Sequence, residues 1–204
     1  MKGLWRGFLT LVSLLLVWQL VVALGDLPPY ILPSPWAVML ALWHHGESLF
    51  HHAGVTALEI VLGMLLGTLL GCGSALALSY SRRARRWLLP VLIASQAIPV
   101  FAIAPLLVLW LGYGMGSKIA MSMLILYFPV TANFYDGLRH TQRGWLDLAQ
   151  VMLPERRRWA VLRHIAIPAA LPALASGLRV AAAVAPIGAV LGEWVGSSAG
   201  LGYL

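Results

Sequence analysis

Twelve of the fourteen lysine and arginine residues fall into three clusters separated by long apolar stretches. Lys2 and Arg6 form the first, and Arg82, Arg83, Arg85 and Arg86 the second. The third runs through Arg139, Arg143, Arg156, Arg157, Arg158 and Arg163. Two apolar spans, 8–24 and 53–80, separate the first two clusters, and two more, 88–111 and 117–136, separate the second two. An even number of membrane crossings returns each cluster to the same side, and the positive-inside rule makes that side the cytoplasm. The connections that would lie outside, 25–52 and 112–118, hold one basic residue, Lys118. This pattern predicts an all-α polytopic membrane protein with a cytoplasmic N-terminus.

Composition agrees. The chain is 60% hydrophobic and 10% charged, whereas soluble domains carry about 25% charged residues. Several windows reach the roughly 20 apolar residues that cross a 30 Å hydrocarbon core. The net charge of +7 could suggest nucleic acid, but the basic residues sit at the ends of apolar spans, where anionic headgroups act on them. The lipid bilayer, with no nucleic acid, is the expected environment. Cys72, the single cysteine, lies within an apolar span and implies no disulfide.

The first span exceeds the roughly 7–15 residues of a secretory signal's apolar core, so it reads as an uncleaved helix. Residues 26–52 hold Pro28, Pro29, Pro33 and Pro35 and read as a loop that begins extended. No two of its His44, His45, His51 and His52 stand at i, i+4 and Glu47 is the only nearby carboxylate, so a solvated loop is expected and no metal site. Gly63, Gly67, Gly71 and Ala75 recur every four residues, a face of small residues that lets another helix approach closely.

The third span carries Pro99 and Pro105, each removing a helix hydrogen bond. Broken backbone at membrane depth survives when it is buried or lines a cavity. Ser95, Gln96 and Pro99 are therefore candidates for a translocation pathway, with a kinked packing helix as the other reading. A fifth span, 168–193, starts at Pro168 and contains Arg179 and Pro186. Arg179 stands about 16 Å along such a helix, where an arginine should face the protein interior. Glu193 lies about 21 Å further on, too far to pair with it inside one helix. Both join the pathway candidates. Five spans place Leu204 outside, beyond a glycine-rich turn at 196–202, so a further returning helix is expected and the chain reads as lacking it.

Catalytic motifs are missing: no Walker A spacing, no His-Glu-x-x-His, no Gly-x-Ser-x-Gly and no paired carboxylates within a span. A transport subunit powered by another polypeptide fits better than an enzyme. An ion-coupled carrier would need intramembrane acids, for which Glu59 and Glu193 are the candidates. A structural scaffold would leave the broken third span unexplained.

Residues 144–172 form an elbow of two amphipathic pieces around Leu153-Pro154. Trp145, Leu148 and Met152 share a face of the first, and Trp159, Leu162 and Ile165 a face of the second. Such an elbow can lie on a membrane or dock into a partner's groove.

With Asp147, Ala149 and Ile165-Ala-Ile-Pro168 in this elbow, and Gly177-Leu-Arg179 beyond it, the chain resembles the membrane subunits of bacterial ABC importers. It departs from their signature loop at Leu148, where alanine is usual, in lacking the glycine, and in a spacing two residues longer; Pro154 can break the helix where glycine would. The resemblance covers 53–204. Ser95-Gln-Ala-Ile-Pro99, Gly112-Tyr-Gly114 and Gly192-Glu-Trp-Val-Gly-Ser-Ser198 look like the nitrate/sulfonate/taurine group, and most like its branch for hydroxymethylpyrimidine, a thiamine precursor.

The resemblance implies a type I permease fold in one transmembrane domain, 1–204, with a first helix and outer loop (1–52) and a core (53–204). Two copies would form the pathway in the bacterial inner membrane. A separate ATPase, which would bind the ATP, would dock on the elbow at 144–167 through Asp147, Leu148, Ala149, Met152, Pro154, Trp159, Leu162, Ile165 and Pro168. This chain would bind no cofactor. An extracytoplasmic binding protein would deliver the solute, with sulfonate, taurine or nitrate as the alternative cargo. Arg156, Arg157 and Arg158 are expected to set topology and meet lipid.

Overall fold

The computed structural model of the chain describes residues 2–26, 28–152 and 158–204, and every regular element among them is helical. The chain divides into two compact units, residues 1–51 and 52–204. In the first, α1 (Lys2–Leu24) is followed by α2 (Pro35–His44). The loop expected to begin extended at residue 26 thus turns helical at Pro35. Ser34 accepts a hydrogen bond from the Ala37 amide at 3.2 Å, and Pro35 occupies a first-turn position whose N–H would be unsatisfied anyway. Trp18 Nε1 donates to the Pro33 carbonyl at 3.1 Å, closing this unit on itself.

The chain continues through α3 (Gly46–Tyr80), α4 (Arg82–Ser95), α5 (Val100–Leu111) and α6 (Met115–Arg139). Then come α7 (Arg143–Met152), α8 (Arg158–Val161), a π-helical turn (Leu162–Ala166) and α9 (Ile167–Trp194). Four stretches are long and apolar enough to cross a membrane: Leu4–Leu24, Gly46–Tyr80, Met115–Arg139 and Arg158–Trp194. The third predicted span is delivered as two helices, α4 and α5, of 14 and 12 residues. Gln96 and Ala97 close α4 with tight turns onto Ile93 and Ala94. Pro99, at φ −60° and ψ 125°, is the extended residue that opens α5. Proline cannot continue the hydrogen-bond ladder of α4, and it pushes the residue before it out of the helical region.

Helix α6 is the centre of the second unit. Two of its partners, α3 and α9, reach it through glycines. On α3, a Cβ built on Gly67 would stand 3.1 Å from the Met123 carbonyl, and one on Gly71 would stand 3.2 Å from the Tyr127 carbonyl. On α9, a Cβ on Gly177 would lie 2.8 Å from the Pro129 carbonyl. Gly63, Gly67, Gly71 and Ala75 are all buried, so the four-residue stripe is the α3 face that meets α6. Tyr127 on α6 donates its hydroxyl to Ser74 Oγ on α3 at 2.8 Å, a polar tie within the same contact. Ala181, Ala185, Gly188, Ala189 and Gly192 carry the α9 contact onward with side chains no larger than a methyl.

The fifth span does not begin at Pro168. Helix runs into it from Arg158, through a turn in which the Ile167 amide reaches the Leu162 carbonyl, one residue further than the α-helical bond. Pro168 has no amide to give to His164, and its ring would crowd that carbonyl. Widening the helix by one residue accommodates it without ending the rod.

Substituting Gly177 by alanine should lower stability by about 1–3 kcal/mol, the usual cost of overpacking. Gly73→Ala, on the same stretch of α3 with nothing within 4 Å of a built Cβ, should be neutral. Denaturant unfolding of the purified permease in detergent checks both; equal stability of the two variants would remove the close-packing account.

Candidate functional site: the elbow, the broken span and a buried polar knot

At one end of the bundle the second and third arginine clusters converge. Arg82, Arg85 and Arg158 line a single cavity of about 590 Å3, together with Tyr80, Leu138, Thr141, Leu146, Ala149 and Leu162. This is where α3 ends, α4 begins and the elbow returns toward the bundle. Beneath it lies a core of Ala75, Leu78, Leu92, Phe134, Tyr135, Leu138, Leu162, Ala166 and Ala170.

The elbow residues divide into two sets. Asp147, Leu148, Trp159 and Pro168 are exposed and Ile165 is half-buried. Ala149 and Leu162, expected among the docking residues, are turned inward at 2% and 6% exposure. They hold the elbow against the chain's own helices and present no surface to a partner. Trp145 and Leu148 point outward together on α7, at 49% and 56% exposure, as the i, i+3 spacing predicts. Trp159 meets Tyr80 edge to face, with ring centres 6.3 Å apart. Pro154 lies outside the described residues, and Met152 is described only as the last residue of α7.

Of the pathway candidates, Ser95, Gln96 and Pro99 sit together at the α4–α5 break and are exposed on the single chain. Ser95 Oγ donates to the Leu92 carbonyl at 2.7 Å, capping the failing end of α4. Arg179 does not face the interior of its own chain as expected; it is exposed. The face of α9 that packs on α6 is taken by Gly177, Ala181 and Ala185, which leaves no room for a guanidinium there.

Glu193 is corrected as well. It lines no open path and is buried at 1% exposure. Its Oε1 accepts from Thr56 Oγ1 at 2.6 Å, and its Oε2 accepts from the Gly202 amide at 2.5 Å. The Leu201 amide donates to Thr56 Oγ1 at 2.8 Å, and the Gly200 amide to His52 Nδ1 at 2.9 Å. Beside this, Lys118 and Glu59 form an ion pair at 3.5 Å, with exposures of 5% and 0%. Lys118 Nζ also reaches the Ala199 carbonyl at 3.4 Å. Gly200, at φ +118°, stands where any Cβ would overlap the Glu193 carboxylate, so both conformation and space require glycine.

This knot fastens the 196–202 turn to α3, α6 and α9. It lies far from the elbow: Lys118 and Leu138 are twenty positions apart on α6, about 30 Å, the thickness of a hydrocarbon core. In the sequence, Lys118 falls in an outer connection and Glu59 is a candidate intramembrane acid for a carrier, with nothing joining the two. The available signal was that a lysine and two acids lie near the same end of three apolar helices, where burial forces them to pair.

Residues 63–204 match the model of the binding-protein-dependent transport system inner membrane component. A probable ABC transporter permease protein of Haemophilus influenzae is 63% identical over 191 residues, covering 94% of this chain and 77% of that one. The formylaminopyrimidine transport permease protein ThiX of Halalkalibacterium halodurans is 39% identical, covering 93% and 75%. The riboflavin transport system permease protein RibX of Chloroflexus aurantiacus is also 39% identical, covering 96% and 73%. The chain belongs to this family of ABC importer permeases, and it is a multi-pass membrane protein that serves as a transport subunit. The ion-coupled carrier reading falls with that assignment.

Removing one partner of the buried ion pair, Lys118→Met, should destabilise the protein by about 3–5 kcal/mol, because Glu59 is left charged and unpaired. Adding Glu59→Met should restore most of the loss. Unfolding of the three proteins in detergent measures it; additive losses would mean the pair is not the stabilising unit.

Proposed function

We propose that two copies of this permease enclose the translocation pathway, with the arginine-rich ends facing the cytoplasm. Separate ATPase chains dock on the outward face of the elbow and supply the energy, and ATP binds to them and not to this chain. The observation that carries this reading is the exposed apolar surface of Trp145, Leu148 and Trp159 beside the Asp147 carboxylate. Large apolar side chains on a short helix between two membrane spans call for a partner groove, and the sequence contains no nucleotide-binding loop of its own.

The cargo we infer is a small, nearly uncharged pyrimidine precursor of thiamine, handed over by an extracytoplasmic binding protein. The solutes named for two relatives, formylaminopyrimidine and riboflavin, are both nitrogen heterocycles. Gln96, beside the helix break, is a side chain that offers such a ring both a donor and an acceptor. Sulfonate, taurine or nitrate is the competing cargo, and it would draw on Arg179, near the middle of the Arg158–Trp194 stretch.

Combining Asp147→Arg with Trp159→Ala should reduce recovery of the ATPase with the purified permease by roughly tenfold or more, the usual effect of losing an aromatic anchor. Membrane insertion should be unchanged. Undiminished recovery would remove the docking assignment. For the cargo, the cognate binding protein titrated with hydroxymethylpyrimidine, taurine and nitrate should bind the pyrimidine alone; tight anion binding would overturn it.

A further inference from the structure

The cavity beneath the elbow has a divided chemistry. Its floor is apolar, made of Leu138, Ala149, Leu162 and Ala166, all buried. Its rim is cationic, with Arg82, Arg85 and Arg158 exposed around it. No aspartate or glutamate among the described residues lines it. The three guanidiniums take part in no ion pair among those residues either, where the only two pairs are Lys118–Glu59 and His140–Asp136.

Three cations around one opening repel each other unless an anion sits between them. The backbone adds to the imbalance. Arg82 and Arg85 occupy the first turn of α4, the end of a helix whose dipole is already positive and which ordinarily attracts acids. Ser81 caps one amide there, Ala84 N, at 3.3 Å. Arg85 is also held in place: its Nε donates to the Leu78 carbonyl at 3.4 Å, at the end of α3.

We propose that this cavity binds the phosphate headgroup of an anionic phospholipid, with the guanidiniums on the phosphate and the upper methylenes of a chain on the Leu138–Leu162 floor. A free phosphate ion would use the rim and waste the floor. A lipid uses both, and the cavity lies at the arginine-rich end of the apolar helices α3 and α6. Basic pockets between transmembrane helices bind anionic headgroups by the same combination, and arginine is the side chain that grips phosphate through paired N–H donors. A volume of about 590 Å3 is of the size that holds a small ligand, enough for a headgroup and the first carbons of its chain. Because Ala149, Leu162 and Arg158 belong to the elbow, occupancy ties elbow, α3 and α4 into one body.

The full-length permease, purified in detergent, is incubated with dioleoylphosphatidylglycerol, dioleoylphosphatidylcholine or inorganic phosphate, and bound molecules are counted by native mass spectrometry. Phosphatidylglycerol should be retained over phosphatidylcholine. Retention should fall roughly tenfold or more when Arg82, Arg85 and Arg158 are changed together to glutamine. Arg83→Gln with Arg86→Gln, which removes arginines that do not line the cavity, should leave retention unchanged. Equal retention of the two lipids, or equal loss from both glutamine sets, would overturn the site. Displacement of the lipid by millimolar inorganic phosphate would assign the rim to a soluble anion, and displacement by the purified ATPase to a protein carboxylate; either overturns the lipid proposal. The readout is independent of cargo and of transport, so its failure is separable from failure of the function proposed above.

Discussion

Close approach of helix backbones to α6 is the constraint on which the second unit rests. In lipid, apolar side chains gain little by leaving one hydrocarbon environment for another, so helices associate through packing and through the few hydrogen bonds packing permits. Gly63, Gly67 and Gly71 on one flank and Gly177 on the other bring α3 and α9 against the α6 backbone. With two neighbours this near, α6 can keep Pro129 in its interior, because the surrounding helices hold its course where the hydrogen-bond ladder is interrupted.

Polar chemistry is confined to the two ends of this packed body, and the ends differ in kind. At the knot, charges are removed from solvent and matched: Lys118 with Glu59, and Glu193 with a hydroxyl and a backbone amide. At the elbow, charges of one sign stay exposed around an opening. A matched, buried cluster fixes geometry, since breaking any member strands another. An unmatched, exposed one recruits something from outside. The fold therefore holds its 196–202 turn in place through buried bonds and leaves its arginine-rich end exposed.

What could be read from the sequence follows the range of the interactions involved. The four-residue stripe on α3 and the break at Pro99 were legible because each is decided within one or two helical turns, by side-chain size and by a missing amide. The helix at Pro35 was missed because the neighbouring prolines were weighed as breakers, although Pro35 stands after a capping serine where proline starts a helix. The continuity of elbow and fifth span was hidden by Pro168, which ends an α-helix but not one that widens by a residue. The Lys118–Glu59 pair is decided by tertiary contact between positions far apart in the chain, and nothing local to either marks the other. The inward turn of Ala149 and Leu162 has the same origin. The amphipathic pattern identified two faces on the elbow without saying which would be covered.

The widened turn at Leu162–Ala166 has a mechanical consequence. It makes one rod of Arg158–Trp194, about 55 Å long at 1.5 Å per residue, with Trp159 near one tip and Glu193 near the other. The rod packs on α6 from Gly177, close to its midpoint, through Ala181, Ala185 and Gly188 to Gly192. Elbow and Glu193 thus belong to one continuous helical stretch with no loop between them, and Thr56 and Gly202 tie its far tip to the 196–202 turn. The rod's stiffness is set where the hydrogen-bond ladder is interrupted, at the π turn and at Pro172 and Pro186.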